Sequence, residues 1–583
     1  MHVLAQAAET PLNLPQIEWR AVAPELALAV TGLVALLVVA WWPRARRDLL
    51  AAICLAGIAA AAWLTWWNWD IAKTAFEGAV ALDGITRYAR LVLLAVGALA
   101  VLMAAEDGSR DPDAPPEVFP LLLFALTGMV LLAAASDLLV VFIALELLSL
   151  SLYVMVGATR RLRAEEAAMK YFLLGAFSSA FLLYGIALSY GATRTTNLLG
   201  IARAVGDPTV SSGLLLAGVG LLSVGFFFKV AAVPFHQWTP DVYQGTPTPV
   251  TAFMAAGTKT AGFAVFLRVF AGALGGLVVS WRPVVAAVAV ATMLLGAVLA
   301  LVQQDLKRML AYSSIAHAGY LLLGLAAAAT RPEGVSASMF YLLAYAFMVM
   351  GAFMVVQYAG RAPAAAPEAA AGADALQPIS PVGAGVRVAE VATPTTAVVR
   401  PLGTGTATLA AGPPAARAAT ATVEPDGSAA GSTAPAPAGA GTAAVGAAAT
   451  VEPVERSSID DFRGFGRRHF LPALLLAIFL LSLAGIPPLA GFWAKYYLFQ
   501  AAVDAGLTWL VVVAVVASVI SAFFYLRVIV AMFLEEPTGK AVAGSSSWAL
   551  RIALGVAGVL TVAIGLAPQV LVSAAQAASR ILG

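Results

Sequence analysis

Runs of about 20 residues built almost wholly from Leu, Val, Ala, Ile, Phe and Gly recur along the whole chain. A helix of that length spans the hydrocarbon layer of a bilayer. Hydrocarbon offers backbone N–H and C=O groups no partner, so only helices and closed barrels can cross it. The runs are continuous rather than alternating, which selects helices. Composition agrees: of 583 residues 61% are hydrophobic and 11% charged, with a mean hydropathy of +0.88, more apolar surface than a soluble fold can use. The fold class expected is therefore an all-α polytopic membrane protein.

The apolar runs predict about fourteen transmembrane helices, over 24–42, 49–67, 85–104, 118–135, 137–159, 168–190, 213–235, 247–271, 283–302, 309–328, 337–358, 469–500, 507–533 and 549–571. WWPRARRD follows the first, TRRLRAEEAAMK the fifth and QQDLKRM the ninth, and RGFGRRH precedes the twelfth. All four basic clusters fall on one side if the N-terminus lies outside, and an even number of spans then puts both termini outside. The N-terminus has no basic segment leading into an apolar one, so the first span is expected to remain as a helix rather than to be cleaved. Residues 361–456 are rich in Ala, Pro, Gly and Thr and lack aromatic residues. They read as a disordered cytoplasmic linker.

KYFLLGAF (170–177) is echoed by MFYLLAYAF (339–347), and SLYVMVGA around Tyr153 by HAGYLLLGLA around Tyr320, at an offset of about 168 residues. Chance likeness between two Leu/Ala/Tyr-rich helices is the plain alternative. The matched helices are five apart in order, so they cross the membrane in opposite directions. That is the pattern of an inverted repeat, helices 4–8 matched to helices 9–13. The resulting organisation is 1–110 (helices 1–3), 111–275 (first repeat), 276–360 (helices 9–11), 361–456 (linker), 457–535 (helices 12–13) and 536–583 (helix 14). Helices 7 and 12, paired by the repeat, are both interrupted: Pro234 in VAAVPFHQW, and Gly485, Pro487 and Pro488 in AGIPPLAGFWAKYY, with Gly491 loosening the second case further. Unwound backbone at membrane depth persists only where protein buries it or where it lines water, which points to a transport path.

Four charges lie inside apolar helices: Glu146 in VVFIALELLSLSLY, Lys229 in FFFKVAAVP, Lys259 in AAGTKTAGFAVF and Lys495 in GFWAKYYLF. Each costs about 2.5–3.5 kcal/mol at a helix centre, together about 10 kcal/mol or more if unpaired. Glu146 and one lysine paired as structural glue is the plainer reading of two of them. One carboxylate cannot neutralise three lysines, so at least two must be neutral, hydrated or exchanging charge. Lys170 near the start of helix 6 reads either as a snorkelling interfacial residue or as a functional one. His236 after the break and His317 in SSIAHAGY suit a proton relay by residue type, and interhelical hydrogen bonding equally well. Arg268 and Arg527 lie near helix ends and are expected to snorkel, while Asp305, Lys307 and Arg308 read as an interfacial cluster serving topology.

The chemistry excludes several classes. One cysteine, Cys54, cannot ligate an iron–sulfur or zinc site by itself, and four scattered histidines do not suggest haem or metal. A net charge of +2 implies no nucleic acid. A solute carrier would place polar specificity residues at mid-membrane, whereas here the groups at that depth are almost all titratable. Translocation of H⁺ or Na⁺ is the reading that remains.

Glu146, Lys229 before the broken FHQW, Lys259, LKRMLAYSSIAHAGY and AGIPPLAGFWAKYY, in that order, make the chain resemble the antiporter-like membrane subunits of bacterial respiratory complex I, relatives of Mrp-type cation/proton antiporters. The resemblance covers all but the linker, which is longer than the usual loop there. Within the group it is nearest the subunit N branch, the counterpart of mitochondrial subunit 2: Lys495 stands where the M sibling has glutamate, and no long lateral helix follows as in the L sibling. The resemblance implies a translocase subunit of NADH:quinone oxidoreductase in the bacterial inner membrane. Glu146 and Lys229 are then the ion pair gating proton uptake, Lys170 its modulator, Lys259 the central relay, His317 the bridge and Lys495 the outward terminus. It further implies no cofactor on this chain, with FMN, iron–sulfur clusters, NADH and quinone held by partner subunits. The expected neighbours are the M-type subunit, the small K-, J- and A-type subunits and lipid. An Mrp-type Na⁺/H⁺ antiporter subunit is the alternative.

Overall fold

The computed structural model describes residues 18–42, 46–69, 73–110, 114–159, 161–207, 210–360, 457–537, 544–545 and 547–579. The expected linker 361–456 lies outside the described residues. Helices run from α1 (Ala23–Trp41), α2 (Arg47–Trp67), α3 (Gly84–Arg110), α4 (Val118–Ala134), α5 (Leu138–Val156) and α6 (Leu162–Thr193) to the short α7 (Leu198–Ala204). Next come α8 (Ser212–Val230), α9 (Trp238–Gly245), α10 (Thr248–Phe253), α11 (Lys259–Leu267), α12 (Val278–Leu301), α13 (Leu306–Ala328) and α14 (Glu333–Ala359). After the linker follow α15 (Phe465–Arg468), α16 (Phe470–Ala484), α17 (Ala490–Asp504), α18 (Thr508–Phe533), α19 (Trp548–Leu566) and α20 (Pro568–Ala578). A two-stranded antiparallel hairpin, β1 (Lys73–Ala75) and β2 (Val80–Leu82), leads into α3.

Among the described residues twelve helical stretches are long and apolar enough to cross a membrane, and α4 and α16 are shorter apolar helices. The stretch Thr248–Ala273 is one of the twelve, with α10 and α11 joined by a π-helical turn at Met254–Thr258 and a second such turn at Arg268–Ala273. The most apolar eighteen residues of this stretch and of α14 are wholly buried, and those of α13 nearly so, whereas α1, α2, α6 and α18 keep about two thirds of theirs outward. The chain thus puts an inner layer of helices, apolar on all sides, inside an outer ring whose free faces are those of helices meeting hydrocarbon. Lys259 and His317 belong to that inner layer.

Both expected interruptions are present, and they share one geometry. At the end of α8, Ala232 N–H donates to Phe227 O and Ala231 N–H to Phe228 O. At the end of α16, Ile486 N–H donates to Leu481 O and Gly485 N–H to Ser482 O. Each is a Schellman closure that needs a left-handed residue, supplied by Ala231 (φ 62°) in one case and Gly485 (φ 90°) in the other. The proline that follows prevents continuation of the helix. Past the second break, α17 folds so close to α16 that a Cβ on Gly491 would lie 1.7 Å from Ser482 O, so only glycine fits.

Two arginines correct the reading from sequence. Arg268 does not snorkel: it is 4% exposed and clamps Asp83 with bonds of 2.6 and 2.9 Å, adding Thr86 Oγ1 and Ala133 O. This ties the stretch carrying Lys259 to the start of α3 and the end of α4. Arg527 donates to Leu301 O at 2.9 Å and to Gln303 O, capping the end of α12. A second buried pair, Arg90 with Glu25 at 2.5 Å, joins α3 to α1. Replacing Asp83 by Ala leaves Arg268 buried without its counter-charge, which is expected to destabilise the fold by about 3–5 kcal/mol. The double replacement Asp83→Leu with Arg268→Met should lose clearly less, as read by thermal unfolding of the purified protein.

Candidate functional site

The two helix breaks generate the site. Ending α8 at Val230 and α16 at Ala484 leaves backbone carbonyls without an intrahelical donor, at the negative end of each helix dipole. A lysine fills each vacancy: Lys259 Nζ donates to Val230 O at 3.1 Å, and Lys495 Nζ to Ala484 O at 2.8 Å. Lys495 also donates to Ser518 Oγ on α18 at 2.7 Å and lies 5.0 Å from the ring centre of Tyr320. Neither lysine has a carboxylate partner among the described ion pairs, and both are buried, 2% and 5% exposed.

Lys229, on the last turn of α8 and 3% exposed, donates instead to Ser149 Oγ on α5 at 2.9 Å. Glu146 is half-buried on α5, one turn away from Ser149, and accepts a 2.5 Å bond from Ser179 on α6. The expected Glu146–Lys229 ion pair is therefore not formed: each member is held by a serine.

His317 lies in a cluster of hydroxyls, within electrostatic reach of both Lys259 and Lys495. Its Nδ1 is 2.6 Å from Tyr341 OH and its Nε2 3.3 Å from Tyr525 OH, which is also bonded to Ser313 Oγ. On the next turn Tyr345 OH donates to Ser314 Oγ at 2.8 Å. With both ring nitrogens engaged by hydroxyls that can donate or accept, the imidazole can take a proton on one side and release it on the other. His236, by contrast, is half-buried in the first break and is hydrogen-bonded to none of the lysines.

Lys170 belongs to a different cluster, at an open polar cavity of about 240 Å³ bordered by Arg163, Glu166, Lys170, Asp241 and Gln244. Lys170 pairs with Glu166 at 2.7 Å and Asp241 at 2.9 Å, and Arg308 pairs with Asp241 at 2.6 Å. It touches neither Glu146 nor Lys229. Tyr171 stacked on Trp238 (4.6 Å between ring centres), with Tyr153 edge-on at 4.7 Å, shares α5, α6 and the break with Lys229. Lys307 is not interfacial decoration: it is 1% exposed and donates to Thr246 O at 2.6 Å. The serines and tyrosines that hold the charged groups were not singled out in the sequence, where the same residue types recur in many spans without a role.

Burial raises the carboxyl of Asp241, but Lys170 and Arg308 outweigh it and hold the group below the usual carboxylate range. A carboxylate depressed in the folded state adds stability that is complete above its unfolded value, about 3.9, and disappears as the pH falls through the folded value. The melting temperature of the wild type should therefore exceed that of Asp241→Asn at pH 7, and the difference should close below about pH 4.

The chain matches the family model described as NADH:quinone oxidoreductase/Mrp antiporter, TM, over residues 135–382 and 442–521. It is 39% identical over 605 residues to the NADH-quinone oxidoreductase subunit N of Parafrankia sp. (strain EAN1pec), covering 99% of this chain and 98% of the relative. Against that of Trichlorobacter lovleyi the identity is 36%, covering 97% and 98%. Among solved structures, a chain of respiratory complex I from Thermus thermophilus with bound aureothin superposes with a TM-score of 0.68 at 32% identity, covering 94% of this chain and 98% of that one. A chain of the Mrp complex from Dietzia sp. DQ12-45-1b shares the fold, with a TM-score of 0.70 at 20% identity over 97% of each.

Proposed function

We propose a function from one premise: the chain belongs to the NADH:quinone oxidoreductase/Mrp antiporter family, in its subunit N branch. It acts as a proton-translocating membrane subunit of complex I in the bacterial inner membrane. The observation that carries this reading is a set of three buried lysines, two of them on carbonyls freed by helix breaks, with His317 among its tyrosines within electrostatic reach of Lys259 and Lys495. An ammonium that is buried without a carboxylate gains little from keeping its proton, so it serves as a station rather than as a strut.

In this reading protons reach Lys229 from the side bearing Lys170, Asp241 and Arg308, the cytoplasmic side by the distribution of basic residues. Glu146 tunes Lys229 by approach and withdrawal. Lys259, which shares the first break with Lys229, receives the proton next. His317 passes it through its two ring nitrogens, and Lys495 delivers it outward. Helices 4–8 and 9–13 form the inverted repeat, and the like Schellman closures of α8 and α16 support that pairing. Both termini lie outside. The redox energy comes from partner subunits that hold FMN, iron–sulfur clusters, NADH and quinone, while the neighbours in the membrane are the M-type and the small K-, J- and A-type subunits. Among the described residues no cluster of three His, Cys, Asp or Glu side chains could hold a metal.

In membranes where the complex is verified to assemble, Lys229→Met and Glu146→Gln should each lower NADH-driven proton pumping at least about tenfold, the scale of losing one proton-transfer group. Undiminished pumping in both variants overturns the relay. Flavin and iron–sulfur signals in the purified native assembly are expected. Their absence together with Na⁺/H⁺ exchange would assign the chain to an Mrp-type antiporter instead.

A further inference from the structure

Four facts about the space between α5, α6 and α8 belong together. Ser149 spends its one hydroxyl proton on Leu145 O at 2.5 Å, so its oxygen can only accept, and it accepts from Lys229 at 2.9 Å. Ser179 has its proton free to give, and gives it to Glu146 Oε1 at 2.5 Å. The two serines thus offer the role that each charged partner requires, an acceptor for the ammonium and a donor for the carboxylate. Finally, a cavity of about 10 Å³ is bordered by Ser149, Ser179 and Lys229, with Gly175 and Gly225 flanking it.

Glu146 and Ser149 are three residues apart on α5, so their side chains leave the helix on the same face about 5–6 Å apart. Lys229, bonded to Ser149, is therefore within a rotamer change of the carboxylate. A direct ion pair in so apolar a setting is a strong attraction. That the pair is open shows that something on the protein opposes closure, and the two serines are the groups in contact.

We propose that Ser179 and Ser149 are latches that hold Glu146 and Lys229 apart, the small cavity bordered by both serines and Lys229 lying beside them. The proposal rests on the relay reading for its purpose, since a pair that must open and shut needs a stable open state as well as a closed one. Ser179 is a positioning residue: it sets where the carboxylate waits. Without its hydroxyl the open state loses a hydrogen bond to a charged group, and the balance shifts toward the closed pair by about tenfold or more.

The test reads the carboxylate directly, in the assembled complex in native membranes, by the extent to which a lipophilic carbodiimide labels Glu146, quantified by mass spectrometry of the peptide. Held by Ser179 and not by Lys229, Glu146 is half-buried and open to the reagent; addition to the carbodiimide takes up one proton from solvent, and labelling is expected. Ser179→Ala should lower labelling about tenfold, as Lys229 captures the carboxylate. Ser179→Thr keeps the hydroxyl and should label as the wild type does. The double variant Ser179→Ala with Lys229→Met should recover labelling, because nothing remains to close upon. The latch is overturned if wild-type Glu146 is not labelled, if Ser179→Ala labels like wild type, if Ser179→Thr behaves as Ser179→Ala, or if removing Lys229 fails to restore labelling. Failure of the relay reads out separately, as normal pumping in Lys229→Met and Glu146→Gln.

Discussion

Everything central to this molecule depends on an ammonium group meeting a carbonyl that a helix has stopped using. A continuous α-helix in hydrocarbon consumes its own hydrogen-bonding capacity and offers nothing to a polar visitor. Breaking α8 after Val230 and α16 after Ala484 releases carbonyls, and Lys259 and Lys495 take them up. The cost of unwinding and the cost of burying a lysine are each prohibitive alone. Placed together, each group becomes the other's partner.

That arrangement dictates the surroundings. A lysine held by neutral oxygen can give up its proton without abandoning a buried carboxylate, which would otherwise be left uncompensated. Lys229, Lys259 and Lys495 accordingly sit on Ser149, on Val230 O, and on Ala484 O with Ser518. Full ion pairs occur elsewhere: Asp83–Arg268 and Glu25–Arg90 lock α3 to its neighbours, and the Asp241 cluster lies at the polar cavity. Charge that must stay put is paired, and charge proposed to move is not.

Much of this was legible beforehand because the bilayer makes exceptions conspicuous. A lysine among phenylalanines at 226–229, or two prolines at 487–488, departs so far from the background that residue type alone marks it. The burial of Lys229, Lys259, Lys495 and His317 follows from the same contrast. Partners were harder to see. Ser149, Ser179 and Ser518 resemble the many serines that merely bond back to their own helix, as Ser189 does to Gly185 O. Arg268 reads as a snorkelling residue in the sequence because its partner Asp83 is 185 residues away and outside any apolar run. The resemblance implies that Lys170 modulates the Glu146–Lys229 pair, yet it stands about two turns nearer the start of α6 than Ser179, the residue that holds Glu146, and pairs with Glu166 and Asp241 instead.

The two breaks differ in whose carbonyl is taken. Lys495 bonds to α16, the first half of its own interrupted helix, and Ser518 of α18 bonds to both. Lys259 bonds to α8, a separate helix, with a π-helical turn immediately before it. Any sliding of α8 past α11 therefore stretches or releases a hydrogen bond on a titratable group. The first break is thus fastened across two separate helices, and the second is fastened both within its own interrupted helix and to α18.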